Sequence, residues 1–227
     1  MTDIDITKLD NSEALTFICV SDRERKARRQ EIDNDPELLA LEQELAEILG
    51  MDFKLDQFYF DTLKGINFYQ MLMLFREGDG IKASQIIEIG SRAGCSSILL
   101  GALAKKHEGA VFCLDPKRHE FWQSNIKKHL LASHCLAVEA ESPWWNPLPV
   151  PEIDLLFIDG NHDFIPCLVD FYYWNRYVRS GGLIAFHDTQ IRDGVKEAMA
   201  VIESGGFGLE KIAESTIGTG CVMYRKN

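Results

Sequence analysis

The 227 residues contain no CxxC pair: the six cysteines (Cys19, Cys95, Cys113, Cys135, Cys167 and Cys221) are scattered. Several sit inside apolar runs, where a thiol behaves as a small hydrophobe, which points to a reducing, cytoplasmic compartment. Long hydrophobic runs are also missing. No apolar stretch approaches the ~20 residues that span a bilayer. The opening MTDIDITKLD lacks the basic start and apolar core of a signal peptide. A soluble protein that does not engage a membrane is expected. Positive charge is scarce, with 24 Lys and Arg against 35 Asp and Glu, a formal net charge of -11. Such a surface repels a phosphate backbone, and the one basic run, Arg23 to Arg29, is too short and isolated to reverse that. Nucleic acid is therefore excluded as the expected partner. There are no internal repeats and no low-complexity segments. The length suits one core plus a small appended segment and is short for two full domains.

What is present falls into two parts. Up to about Gly50 charge dominates, and Asn34-Asp35-Pro36 reads as a helix start, with Asp35 as cap and Pro36 in the first turn. Leu38, Leu41, Leu45 and Ile48 recur at helical spacing, which predicts a surface helix with one buried stripe. A second helix is expected over Phe68 to Phe75, ending before Gly78-Asp79-Gly80. Residues 1–80 thus read as an N-terminal helical extension that acts as a lid, and residues 81–227 as the main domain. In that domain short apolar runs alternate with helical patterns, the mark of βαβ units around a parallel sheet covered on both faces. The expected strands are Gln85–Ile89, Ala110–Leu114, Cys135–Glu139, Ile153–Ile158 and Leu183–Phe186. Leu168, Phe171, Tyr172 and Val178 read as one helix face leading to the stop signal Ser180-Gly181-Gly182. Leu209–Ala213 and Cys221–Tyr224, separated by Ile217-Gly218-Thr219-Gly220, read as antiparallel neighbours closing the sheet.

The first strand ends in Glu88-Ile89-Gly90, and a helix begins near Ser96. The loop between them lies at the carboxyl edge of the sheet, where open α/β folds bind ligands. Gly90 and Gly94 let backbone approach a ligand closely, and free N–H groups at a helix start favour a carboxylate or phosphate. A dinucleotide fingerprint needs glycine at positions 90, 92 and 95, but Arg92 and Cys95 hold two of these. Asp115 ends the next strand, where a carboxylate either accepts both ribose hydroxyls of an adenosine moiety or caps the turn before Pro116. Glu141 and Ser142 follow the third strand and could meet the adenine. Trp144 and Trp145 read mainly as core packing.

The segments IIEIGSRAGCSS, VFCLDP, IDLLFIDGNHDF, SGGLIAFHDT and GTGCVMY stand in the order and spacing of class I S-adenosylmethionine-dependent methyltransferases. From about Ile81 to Tyr224 the chain resembles the small-molecule O-methyltransferase group that includes macrocin-type sugar methyltransferases and cephalosporin hydroxylase-like proteins. The resemblance implies an α/β, Rossmann-like, seven-stranded and mostly parallel sheet with an antiparallel last strand and helices on both faces. It implies S-adenosylmethionine as cofactor, with Glu88, Gly90, Ser91 and Gly94 around its methionine part and Ser96 at the helix start. Asp115 would hold the ribose, and Glu141 with Ser142 the adenine. Arg92 departs from the commonest glycine-rich form of this loop.

Methyl transfer is an in-line displacement, so a protein has to align the partners and make the nucleophile electron-rich. A hydroxyl needs a divalent cation to lower its pKa, a base to remove its proton, or both. The expected chemistry is methylation of a hydroxyl on a small-molecule acceptor, with Asp159 and His162 as catalytic residues. His162 stands where a general base belongs, because its ordinary pKa near 6.5 suits proton removal at neutral pH. In metal-dependent enzymes of the resembling group, the positions matching Asp159, His187 and Asp188 bind a divalent metal, magnesium or manganese. Imidazole would favour manganese, iron or zinc over magnesium. Metal dependence stays open, since in metal-free enzymes of this fold the same aspartate simply ends a strand. Two alternatives also stay open: a protein that binds the cofactor without catalysis, and a same-fold enzyme running another transfer reaction. A homo-oligomer is compatible with the sequence. His107, His119, His129 and His134 read as surface residues.

Overall fold

The computed structural model describes residues 22–62, 65–145 and 152–227. Cys19 and the first residues lie outside this range. Four helices come first: α1 (Asp22–Asp33), α2 (Pro36–Leu49), α3 (Leu55–Asp61) and α4 (Phe68–Gly80). There follow β1 (Gln85–Ile89), α5 (Cys95–Lys106), β2 (Ala110–Leu114), α6 (Trp122–Lys128) and β3 (Cys135–Val138). The chain ends with β4 (Ile153–Ile158), α7 (Phe164–Asn175), β5 (Val178–His187), α8 (Asp193–Ser204), β6 (Leu209–Ser215) and β7 (Cys221–Lys226). The seven strands form one sheet in the order β3-β2-β1-β4-β5-β7-β6. All neighbours from β3 to β5 are parallel, and β7 runs antiparallel to both β5 and β6. The fold is the expected α/β, Rossmann-like sheet closed by an antiparallel last strand.

Strand alternation sends successive residues to opposite faces, and both faces are dry. Ile86, Leu155, Phe157 and Met223 pack with α2, α4 and α5 in one cluster. Ile87, Leu156, Ile184, Phe186 and Val222 pack with α7 and α8 in the other. The N-terminal helices contribute Ile32, Leu38, Leu41, Leu45 and Phe58 to the first cluster, so they share the core of the sheet. Burying a Leu side chain of this kind is worth about 1.5–3 kcal/mol. Asp35 caps α2 by accepting from the N–H groups of Glu37 and Leu38, with Pro36 in the first turn. Two residues of the basic run of α1 are paired within the chain, Arg28 against Glu31 and Arg29 against Asp33, Glu42 and Asp56. Among the described residues no helix is long and apolar enough to cross a membrane.

Several expected boundaries shift for identifiable reasons. Helix α4 does not stop at Phe75 but continues through Gly78-Asp79-Gly80. Gly78 is buried, and a Cβ there would fall 2.5 Å from Leu103 Cδ2, so this glycine serves helix packing and not a turn. Helix α7 ends at Asn175, and Val178 opens β5 instead of sharing the helix face. The buried face of α7 is Cys167, Asp170, Phe171 and Trp174, while Tyr172 is exposed. Ser180-Gly181-Gly182 lies inside β5 at the register break between the Ile153 and Leu155 pairings. Strand β3 stops at Val138, one residue short of expectation. His129 is buried against Phe53 and Phe58 rather than exposed, its Nδ1 2.8 Å from the Asn125 carbonyl.

Candidate active site

Strand order reverses between β1 and β4, and the carboxyl ends of these two strands open the crevice where such sheets place ligands. The loop after β1 passes very close to the loop after β4. Gly90 has φ +87°, and a Cβ on it would fall 2.0 Å from the Asp159 carbonyl oxygen. Only glycine fits there. Arg92 (φ 39°) and Gly94 (φ 92°) complete a left-handed turn that delivers the chain into α5. Arg92 is exposed and lines the crevice, so this position carries bulk where the commonest form of the loop has glycine. No side chain caps the start of α5, where Cys95 and Ser96 face the crevice.

Asp115, at the end of β2, ties this turn down. Its Oδ2 accepts from the backbone N–H groups of Ser91 (3.1 Å) and Arg92 (3.0 Å). Its Oδ1 accepts from the Lys117 N–H at 3.1 Å, the turn-capping contact. A carboxylate has about four acceptor sites, so capacity remains for hydroxyl donors. Beyond β3, Ser142 is buried and accepts from Trp174 Nε1 at 2.7 Å. Glu141 is exposed and its Oε2 accepts from Trp144 Nε1 at 3.1 Å, while Trp145 packs on Phe112 and Trp174.

A second group gathers at the ends of β4 and β5. Asp159 Oδ1 lies 2.9 Å from His187 Nδ1 and 3.5 Å from His162 Nε2. His162 Nε2 lies 2.9 Å from Asp188 Oδ2 without the alignment of a hydrogen bond. Asp188 takes a left-handed φ of 59°, uncommon for a residue other than glycine though tolerated best by Asp, Asn and His. The carboxylates of Asp159 and Asp188 outweigh burial and hold the His162 imidazole up to about 9. His187 is buried, which works against its protonation, yet the same two carboxylates raise it. Asp188, pushed up by burial, is pulled below the usual carboxylate range by His162 and His187.

These two groups face one cavity of about 910 Å³. Of the residues singled out in the sequence, Gly90, Ser91, Ser96, Asp115, Glu141, Ser142, Asp159, His162, His187 and Asp188 line it. Glu88 and Gly94 do not. Glu88 points to the α5 face of the sheet, fully buried, where Ser97 Oγ donates to its Oε2 at 2.5 Å and its Oε1 has no partner. Burial pushes this carboxyl up to about 7. Gly94 lies against the Trp122 ring.

Metal-capable donors gather at this cluster. Asp159, His162 and Asp188 offer ligand atoms within 4.8 Å of one another. His187 instead has both ring nitrogens engaged, Nδ1 toward Asp159 and Nε2 toward Thr219 Oγ1 (3.0 Å) and Gln70 Oε1 (3.2 Å). Sequence reasoning missed Gln70, a fully buried residue of the Asn67/Gln70 capping box on α4. It also missed Asp170, whose signal was a carboxylate inside the apolar face of α7. Thr62, Gly65 and Ile66, which close the cavity from the N-terminal side, carried no motif.

Residues 87–189 match the model of a methyltransferase-domain family. The fold is that of the class I methyltransferases. The methyltransferase TomG of Streptomyces achromogenes, an O-methyltransferase of tomaymycin synthesis solved with S-adenosylmethionine, shares it at a TM-score of 0.60. Its identity is 18%, with 86% of this chain and 91% of that one covered. The methyltransferase PaMTH1 of Podospora anserina, solved with S-adenosylhomocysteine, has a TM-score of 0.59 at 14% identity, covering 92% of this chain and 98% of that one. By sequence the chain is similar to an uncharacterized protein of Acanthamoeba polyphaga mimivirus, 28% identical over a 138-residue alignment. That alignment covers 53% of this chain and 62% of the viral protein, so the chain spans about three fifths of this curated relative's length.

Proposed function

We propose that this methyltransferase domain moves a methyl group from S-adenosylmethionine to a hydroxyl oxygen of a small molecule. The single observation that carries the reading is the shared cavity. It joins the Gly90–Asp115 wall, suited to an adenosyl group, to the Asp159/His162/Asp188 cluster, suited to activating an oxygen. Bound S-adenosylmethionine supplies an electrophilic methyl group on a cationic sulfur. Gly90 lets the backbone come close to this cofactor, and Asp115 has acceptor sites left for its ribose hydroxyls. Glu88, buried behind the turn with its Oε1 unpartnered, backs the methionine end of this wall.

Thr62, Gly65 and Ile66 from the N-terminal helical extension also line the cavity, and we assign this extension the role of lid and specificity element. Removal of the acceptor proton falls to His162 and Asp159. His162 is held protonated between two carboxylates, so it serves as a base only once that field is changed. A manganese ion would be held by Asp159, His162 and Asp188 and would supply Lewis acidity toward an acceptor hydroxyl, in which case His162 is a ligand and not the base. His187 then acts through Asp159, fixing its orientation with the help of Gln70 and Thr219. The net charge of -11 supports a small acceptor over a nucleic acid.

The test is transfer of a tritiated methyl group across a panel of hydroxylated metabolites, with and without a chelator. Turnover that a chelator abolishes and manganese restores supports the metal-assisted reading. Turnover indifferent to chelation leaves His162 as the base. No transfer combined with no cofactor binding removes the proposal.

A further inference from the structure

Three aliphatic side chains stand in water at one edge of the cavity. Ile165 is 60% exposed, Ile191 52% and Val169 41%, and all three line the cavity. A single exposed aliphatic residue is ordinary. These three are joined. Ile165 and Val169 stand one turn apart on α7 and share a face of that helix. Ile191 lies in the turn after β5, where its N–H and that of Arg192 donate to the Asp188 carbonyl at 3.3 and 3.1 Å. The two segments meet backbone to backbone, because a Cβ built on Gly194, in the first turn of α8, would fall 2.5 Å from both the His162 carbonyl oxygen and the Phe164 nitrogen. Ile191 stands just before that contact in the chain and Ile165 just after it.

The same two segments carry the reactive groups. His162 Nε2 and Asp188 Oδ2, 2.9 Å apart, bridge them, and Ile165 and Ile191 each follow one of this pair by a single turn of chain. Cluster and aliphatic edge are therefore one piece of the cavity wall. Farther along α7 the apolar stripe leaves the cavity, with Tyr172 packed on the Phe207 ring. Exposed apolar surface continuous with a cavity marks a place where a ligand is covered. A sugar is a poor match for this edge, since each hydroxyl it withdraws from water needs a hydrogen-bond partner and none of the three side chains offers one. A hydrocarbon is a good match, because it removes aliphatic surface from water on both partners.

Resting on the methyl-transfer reading, we infer that the acceptor is an alcohol or phenol with a hydrocarbon body, not a sugar or polyol, and that Ile165, Val169 and Ile191 are its specificity-determining residues. Its hydroxyl reaches the Asp159/His162/Asp188 cluster while its body lies along the aliphatic edge.

The experiment is calorimetric titration of the full chain, saturated with S-adenosylhomocysteine, with 4-methylphenol, 4-propylphenol and 4-pentylphenol, and with methyl glucoside as the polyol. Affinity is expected to rise about two- to fourfold for each added methylene, with methyl glucoside not binding where 4-pentylphenol saturates. Ile165→Ser combined with Ile191→Ser should reduce the rise to below about 1.5-fold per methylene, whereas Ile165→Val with Ile191→Val should keep most of it. Melting transitions confirm that both double variants are folded. Should the serine pair lack a native transition, Ile191→Ser alone is titrated, with a reduced rise expected and an undiminished one contradictory. A flat series in the wild type, an equal rise in the folded serine pair, or methyl glucoside binding as tightly as 4-pentylphenol overturns the inference. So does sedimentation showing a dimeric wild type and a monomeric serine pair, which would assign the edge to a second copy of the chain. Failure of the wild type to bind S-adenosylhomocysteine is a separate outcome: it removes the methyl-transfer reading itself, and the inference with it.

Discussion

The two halves of the cavity are built on different principles. The cofactor half, at the ends of β1 and β2, is backbone held by backbone and by one carboxylate: Gly90 passes the Asp159 carbonyl, and Asp115 anchors the N–H groups of Ser91 and Arg92. The acceptor half, at the ends of β4 and β5, consists of two imidazoles and two carboxylates within a few ångströms of each other. The first half offers shape. The second stores charge, and its state depends on what is bound.

That contrast can be broken most forcefully at His162. His162→Ala should lower turnover by about 10²–10⁴-fold while leaving S-adenosylhomocysteine affinity within a factor of about three, as measured by steady-state transfer and calorimetry. Equal losses in both would merge the two halves. Next in size is Gly90→Ala, which forces a methyl group into the Asp159 carbonyl and a side chain into φ +87°. A loss of about 3 kcal/mol, roughly 6–12 °C in melting temperature, is expected. Asp115→Ala should weaken cofactor binding about tenfold or more. A variant that binds normally would show that the aspartate only shapes the turn.

Glu88 gives the most diagnostic effect, seen in the pH dependence of stability. Its carboxyl rises from an ordinary value of 4.5 to about 7 in the folded state, so the native protein binds the extra proton between those values. Stability is then full below about pH 4.5 and declines as pH rises toward 7, by up to about 3 kcal/mol. Glu88→Gln abolishes this dependence. The melting temperature of the variant should gain on the unliganded wild type from pH 5 to pH 8, and a constant offset would show that Glu88 is not buried as a neutral acid.

The sequence made the frame of the sheet and the chemistry of its edges legible for the same reason: both follow from strand ends. β1, β2 and β4 matched the expected spans because a parallel strand buried on both faces is a short apolar run with no competing period. Asp115, Asp159 and Asp188 lie where those strand ends place them. What depended on side-chain direction was not legible. The motif pattern assigns His187 to a metal and His162 to proton removal, and only packing shows that Gln70 and Thr219 occupy the second nitrogen of His187. Gln70 lies 117 residues away in the chain. Gly78 and Ser180-Gly181-Gly182 looked like stops, because a glycine chosen for close packing or for a strand irregularity reads the same as one chosen for a turn. Asp170 was hidden by its surroundings, since a lone carboxylate in an apolar helix face has no motif.

The most direct measurement is incubation of the full chain with S-adenosylmethionine carrying a tritiated methyl group, a panel of hydroxylated small molecules and manganese. Label recovered in an ether-linked product, with S-adenosylhomocysteine formed one for one, is the predicted result. The absence of both label transfer and S-adenosylhomocysteine binding would contradict the account.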